Sequence, residues 1–241
     1  MATFAPVQPH GPLEQLFDDV WYVNGSVVMA PTMRLGRNMI VARDGTDLTL
    51  ISSVRLDDAA EKELTALGNV AHIVKIGTHG MDDAYYVDRF GAKMWALPDV
   101  QVADGLTVTD RLAVDADGSG SPIADMDVFS FELTKRPEAA LLLKRHGGLL
   151  ITCDSVQHWQ QSPQNSFSAR LACRFMGFMN PAQIGPPWRK IQTPEGGSLR
   201  PDFERLAALP FSHLIGGHGG FLRDEGPARL RDTIERVYGP A

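Results

Sequence analysis

The sequence predicts an α/β protein in which two mixed β-sheets pack face to face, with helices on the outer surfaces. Three observations carry that prediction. Short apolar runs of strand length recur along the chain, bounded by Gly, Pro and Asp turns. In the first half they alternate with helical patterns in the order strand–helix–strand–loop–helix–strand, the signature of a layered α/β unit. In the second half the same programme recurs, strands first and helices after, which suggests a second sheet rather than an extension of the first. With 241 residues, 44% of them hydrophobic, the chain is long enough to bury this core as one domain spanning 1–241 or as a pair of intimately packed halves.

The elements follow in order. Residues 1–20 are Pro-rich and loosely patterned, and read as an N-terminal arm. DDVWYVNGSVVM, NMIVAR and LTLISSV read as the first strands, the last two joined by RDGTD, whose Asp-Gly is a hairpin signal. DDAAEKELTALG reads as a helix, acidic at its start and closed by Gly. AHIVKI is a strand, THGMDD a loop, DDAYYVDRFG a helix, and KMWAL a strand stopped by Pro98. LTVTDRLAVD has some strand character and ADGSGSP reads as a loop. DVFSFEL, AALLLKR and GLLITCD form three consecutive strands, the last two joined by RHGG. An amphipathic helix over Phe167–Met179, a Pro/Gly-rich loop over Asn180–Gly197, a helix over Pro201–Leu209, the strand SHLIGGHGG and a helix over Gly226–Tyr238 complete the chain.

Composition excludes several classes of function. The net charge of −6 and the lack of a basic stripe argue against nucleic acid. The longest apolar runs are far too short to span a bilayer, so no membrane partner is expected. The opening MATFAPVQPHGPLEQLF has no basic region followed by an apolar core, which points to a cytoplasmic protein. Two cysteines, Cys153 on a strand and Cys173 on a helix, are expected to be buried and reduced. The sequence has neither GxGxxG nor GxxxxGK[ST], and no GxSxG elbow for a serine hydrolase.

The residues with chemical potential stand at three strand ends: His79, Asp82 and Asp83 in THGMDD, Asp154 in GGLLITCDS, and His218 in GGHGG. Loops at strand ends on a rigid scaffold are where ligands and catalytic groups are held. Imidazole and carboxylate groups together suit zinc, manganese or iron. Asp82 and Asp83 alone read as helix caps, and Asp154 alone as a turn residue. Of the other histidines, His158 lies close enough to Asp154 in sequence to be a supporting contact. His10, His72, His146 and His213 read as structural. Trp159, Phe175, Phe178 and Trp188 form either an apolar wall over the site or ordinary core.

Taken together, these motifs resemble the metallo-β-lactamase fold superfamily from about Gly11 to Tyr238. The resemblance is carried by GPLEQLFDDVWYVNG…RNMIVAR…LTLISSV, the loop after AHIVKI, GGLLITCDS and HLIGGHGG. It implies a four-layer αβ/βα sandwich with metal at one sheet edge, and it matches Asp154 and His218 to the family's bridging Asp and final His. THGMDD departs from the family's HxHxDH motif. With Asp83 at the last His, Asp82 matches the Asp, while Gly80 and Thr78 replace the other two histidines. Thr134 stands where a third His belongs. The resemblance therefore implies a metal-dependent hydrolase of a small molecule, with one divalent ion (zinc, manganese or iron) held by a remodelled set drawn from His79, Asp82, Asp83, Asp154 and His218. Asp82 and Asp154 are the expected catalytic carboxylates. The alternative is a binding or structural member of the fold that has lost its metal.

Overall fold

In the computed structural model, which describes residues 4–103, 105–113, 120–159 and 163–240, two sheets are built from alternating apolar runs. The first sheet has the order β1 (Glu14–Phe17), β2 (Val20–Ala30), β3 (Met33–Asp44), β4 (Asp47–Ile51), β5 (Asn69–Lys75), β6 (Lys93–Ala96), β7 (Asp110–Arg111). It starts antiparallel and becomes parallel from β4 onward, because α1 (Asp58–Leu67) and α2 (Asp83–Phe90) cross over between its later strands. The second sheet is assembled from β8 (Met126–Ser130), β9 (Ala139–Leu143), β10 (Leu149–Ile151), β13 (His213–Ile215) and β14 (Phe221–Leu222). Its spatial order is β14-β13-β10-β9-β8, with β10 and β13 parallel. A two-stranded ribbon, β11 (Val156–Gln157) with β12 (Gln183–Ile184), lies beyond β10.

Successive strand residues point to opposite faces, and each strand feeds two cores. Val20, Tyr22, Leu141, Leu143, Leu149 and Ile151 meet between the sheets. Their neighbours face outward: Trp21 and Val23 pack with Leu64 of α1 and Tyr86 of α2. Ala140, Leu142 and Leu150 pack against Phe203 of α5 (Arg200–Ala207) and Leu230 of α6 (Gly226–Tyr238). The layers are thus helix, sheet, sheet, helix, as expected from the double programme of strands and helices.

Several boundaries differ from the sequence reading. The arm is not wholly irregular, because Glu14–Phe17 pairs with β2 as an edge strand. The helix expected over Phe167–Met179 is α3 (Phe167–Phe175); Gly177, with φ 82°, turns the chain out of it. The loop over Asn180–Gly197 contains both β12 and a helix, α4 (Pro186–Gln192). Its Pro186 and Pro187 sit at the helix start, where a missing N–H costs nothing. Among its described residues the stretch LTVTDRLAVD contributes only the two residues of β7, and most of ADGSGSP lies outside the described residues.

Candidate metal centre

The site forms where three strands end. His79 follows β5, Asp154 follows β10 and His218 follows β13. The side chains of His79, Asp154 and His218 each offer a ligand atom, all within 4.8 Å of one another. His79 Nε2 and His218 Nε2 both lie 3.2 Å from Asp154 Oδ1. The two rings meet edge to face, with centroids 4.6 Å apart. No fourth His, Cys, Asp or Glu joins the group among the described residues.

Two of the three side chains are held from behind. The His218 ring lies against Gly36 O through Nδ1, 2.5 Å away. The carbonyl can only accept, so Nδ1 carries a proton, and in the neutral ring Nε2 presents a lone pair to the site. Trp159 stacks on the outer face of the ring, centroids 5.0 Å apart. Thr78 Oγ1 donates to Asp154 Oδ2 at 2.8 Å, and Gln157 Nε2 donates to Asp154 Oδ1 at 3.1 Å. Burial alone pushes the Asp154 carboxyl up, but the charge and N–H groups of the His79 and His218 rings, in their protonated forms, outweigh it and hold the group well below the usual carboxylate range. Burial lowers the pKa of His79, so its imidazole favours the neutral form that a cation requires.

The GGHGG loop owes its path to its glycines. Gly219 has φ 84°, and a Cβ there would stand 1.9 Å from His158 O. The loop is latched to the other sheet by Asn38, whose side-chain amide donates to Gly216 O and Gly219 O while its backbone N–H donates to Gly217 O.

THGMDD works differently from the sequence reading. Asp82 holds the N-cap position of α2 but makes no cap hydrogen bond. Its carboxylate instead pairs with Arg37 and accepts from the Arg55 backbone N–H at 2.8 Å. Asp83 is wholly buried, and its carboxylate fills the space beside Gly80 where a side chain would stand. Neither aspartate joins the group of three. Lys75, also buried, donates to the backbone carbonyls of Thr78 and His79. The loop is therefore tied by buried charges to the sheet beneath it.

Other candidates resolve into supporting roles. Cys153 is fully buried beside Asp154, and burial pushes its thiol well up, so it is an inert neutral group. His158 is buried, and it contributes its carbonyl to Gly220 N at 2.7 Å rather than its ring to Asp154. His72 accepts from the Trp95 indole, and His213 lies 3.0 Å from His146 O. Glu138 is the residue that sequence reasoning missed. Its Oε1 accepts from Ser155 N at 3.0 Å and its Oε2 from Trp188 Nε1 at 2.6 Å. Burial, helped by nearby Asp154, pushes its pKa up to about 8. The available signal was a lone acid opening the otherwise apolar run PEAALLL.

Two cavities, of about 330 Å³ and 510 Å³, join at Thr78, Asp154 and His218. Trp159, Phe178 and Trp188 do line the smaller one, whereas Phe175 points to solvent. Arg136 and Gln192 are polar groups on its wall.

No family model matches the chain, and no curated protein matches it in sequence. Solved structures match in shape across nearly the whole chain. A metallo-β-lactamase from Erythrobacter litoralis superposes with a TM-score of 0.60 at 12% identity, covering 93% of this chain and 92% of that one. FIM-1 from Pseudomonas aeruginosa, in its mono-zinc form, gives 0.61 at 15% identity over 98% and 99%. A metallo-β-lactamase from Hirschia baltica gives 0.59 at 15% identity over 93% and 98%. Identity this low speaks for architecture, and it agrees with the helix–sheet–sheet–helix layering: the chain has the metallo-β-lactamase fold.

Proposed function

We propose that this protein is a metal-dependent hydrolase of a small molecule, with a single divalent ion held by His79, Asp154 and His218. The observation that carries this reading is the confrontation of His218 Nε2 with Asp154 Oδ1. Gly36 O holds a proton on the far nitrogen, so in the neutral ring a lone pair faces a carboxylate oxygen at 3.2 Å, and two acceptors this close call for a proton or a metal cation between them. The spacing suits one. Ligand bonds of about 2.0–2.1 Å in a tetrahedron set donor atoms roughly 3.3 Å apart, close to both nitrogen–oxygen separations.

Two imidazoles and one carboxylate form the donor set of many catalytic zinc sites and of non-haem iron sites. With Asp82 and Asp83 engaged elsewhere, the set is less oxygen-rich than the sequence suggested, which favours zinc or iron over manganese. A bound ion of this kind supplies a Lewis acid and an activated water near neutral pH. The chain's own contributions are positional. Thr78 and Gln157 fix the Asp154 carboxylate, Gly36 fixes the His218 tautomer, and the apolar walls exclude bulk water from the reacting bond. Asp82, tied to Arg37, serves the loop rather than acting as a free base. An ester, lactone, amide or phosphate bond suits this chemistry.

Elemental analysis of purified protein, with zinc, iron and manganese titrations of the metal-stripped form, tests the reading. Wild type is expected to hold about one ion per chain, and Asp154→Ala and His218→Ala are each expected to weaken binding about 100-fold or more. Wild-type protein that binds no better than the two variants would overturn it. If the ion binds but a panel of esters, lactones, amides and phosphates is not turned over, the non-catalytic binding reading takes its place.

A further inference from the structure

The apolar stripe of α3 faces outward. Phe167, Leu171 and Phe175 recur every four residues on one side of the helix, and Phe167 and Phe175 are 81% and 83% exposed. The face turned to the protein carries only small residues, Ala169 and Cys173. The orientation is fixed by β3, because Ser166 N donates to Arg34 O and Arg34 N to Ser166 Oγ. The stripe continues through Met176, which is exposed and also lines the smaller cavity, and across the cavity mouth to Ile191 and Met29, 58% and 60% exposed. A contiguous exposed apolar patch of this kind marks an interaction surface.

Charge identifies what it meets. Arg170 and Arg174 are exposed between and beside the apolar residues, and α3 contains no acidic residue. Among the described residues neither arginine pairs with a carboxylate, nor does Arg136 at the cavity wall, and Arg170 donates only from Nε, to Asn165 O at 3.1 Å. In a chain of net charge −6, this face stands apart. A second copy packed with its α3 on this one would set arginine against arginine, with no acid on either helix to offset them. Aromatic and aliphatic side chains interleaved with arginines that no carboxylate neutralises are the composition of a helix that lies in an anionic lipid interface. Because the patch runs into the apolar cavity, an amphiphile has a continuous apolar path from such an interface to His79, Asp154 and His218.

We infer that α3, with Met29 and Ile191 at the cavity mouth, docks this protein reversibly on an anionic lipid surface, a surface contact that the expectation of no membrane partner, drawn from the lack of a spanning segment, did not consider. The inference does not depend on the metal or on hydrolysis. Vesicle co-sedimentation tests it, comparing phosphatidylcholine with phosphatidylcholine carrying about 30 mol% phosphatidylglycerol. Wild type is expected to bind the anionic vesicles about tenfold or more tightly than the neutral ones, and to be released by salt. Phe167→Ser/Phe175→Ser, at positions too exposed to threaten folding, and Arg174→Glu are each expected to lose about tenfold. Absence of vesicle binding, or binding unchanged in the Phe variant, overturns the inference. A concentration-dependent dimer that the Phe variant dissolves, without vesicle binding, overturns it in favour of self-association.

Discussion

The two loops that bring histidines to the site are held by opposite physics. GGHGG is placed by backbone geometry: glycines allow close approach, and neutral hydrogen bonds from Asn38 fix the carbonyls. THGMDD is placed by buried charge: Arg37 on Asp82, Lys75 under the His79 carbonyl, and Asp83 sealed beneath Gly80. The first kind of loop tolerates changes of pH and charge but no added side chain. The second tolerates small backbone adjustment but no missing partner.

Breaking the charged loop should have the largest effect. Arg37→Met leaves Asp82 largely buried without its cation, and the expected cost is about 3–5 kcal/mol in denaturant unfolding. A loss under about 1 kcal/mol would mean that the Arg55 backbone N–H holds Asp82 unaided. Next is Gly219→Ala, which meets both a left-handed backbone and the His158 carbonyl. Its expected cost is about 2–3 kcal/mol, accompanied by weakened metal binding as His218 shifts. The smallest effect over a single pH unit, and the most specific, is a pH dependence. Burial raises the Asp83 carboxyl from 3.8 to about 7, against the pull of Lys75 and Ser53. Between those values the unfolded chain has released its proton while the folded chain still holds it, so this group's contribution to stability falls as pH rises, by at most about 1.4 kcal/mol per pH unit, and levels off above about 7. Asp83→Asn should remove that slope. Identical pH profiles for wild type and variant would show that Asp83 does not carry it.

The sequence made the scaffold readable because sheet burial leaves a period-two signature: Leu141 and Leu143 go to one core and Leu142 to the other. The site residues at strand ends were visible for the same reason, since apolar runs stop abruptly at Asp154 and His218. The partners of a charge were not visible. Nothing local to THGMDD indicates that Asp82 will be claimed by Arg37, 45 residues away, so capping was the natural expectation. Glu138 was missed because its partners, Ser155 and Trp188, are equally remote. The direction of α3 was also hidden. Periodicity defines an apolar stripe, but whether that stripe faces the core or solvent depends on what β3 offers the other side.

The Asn38 latch has a consequence for how the molecule assembles. Its bonds to Gly216 and Gly219 close contacts across 178 and 181 residues of chain. Contacts of such range form slowly, because the entropy of closing the loop is lost before the contact returns anything. The binding groups therefore come into register only when the two sheets have docked, and a ligand that requires all three has almost no affinity for partly folded chains. Such a ligand would act as a thermodynamic clamp on the completed fold, raising the unfolding free energy in proportion to the logarithm of its concentration.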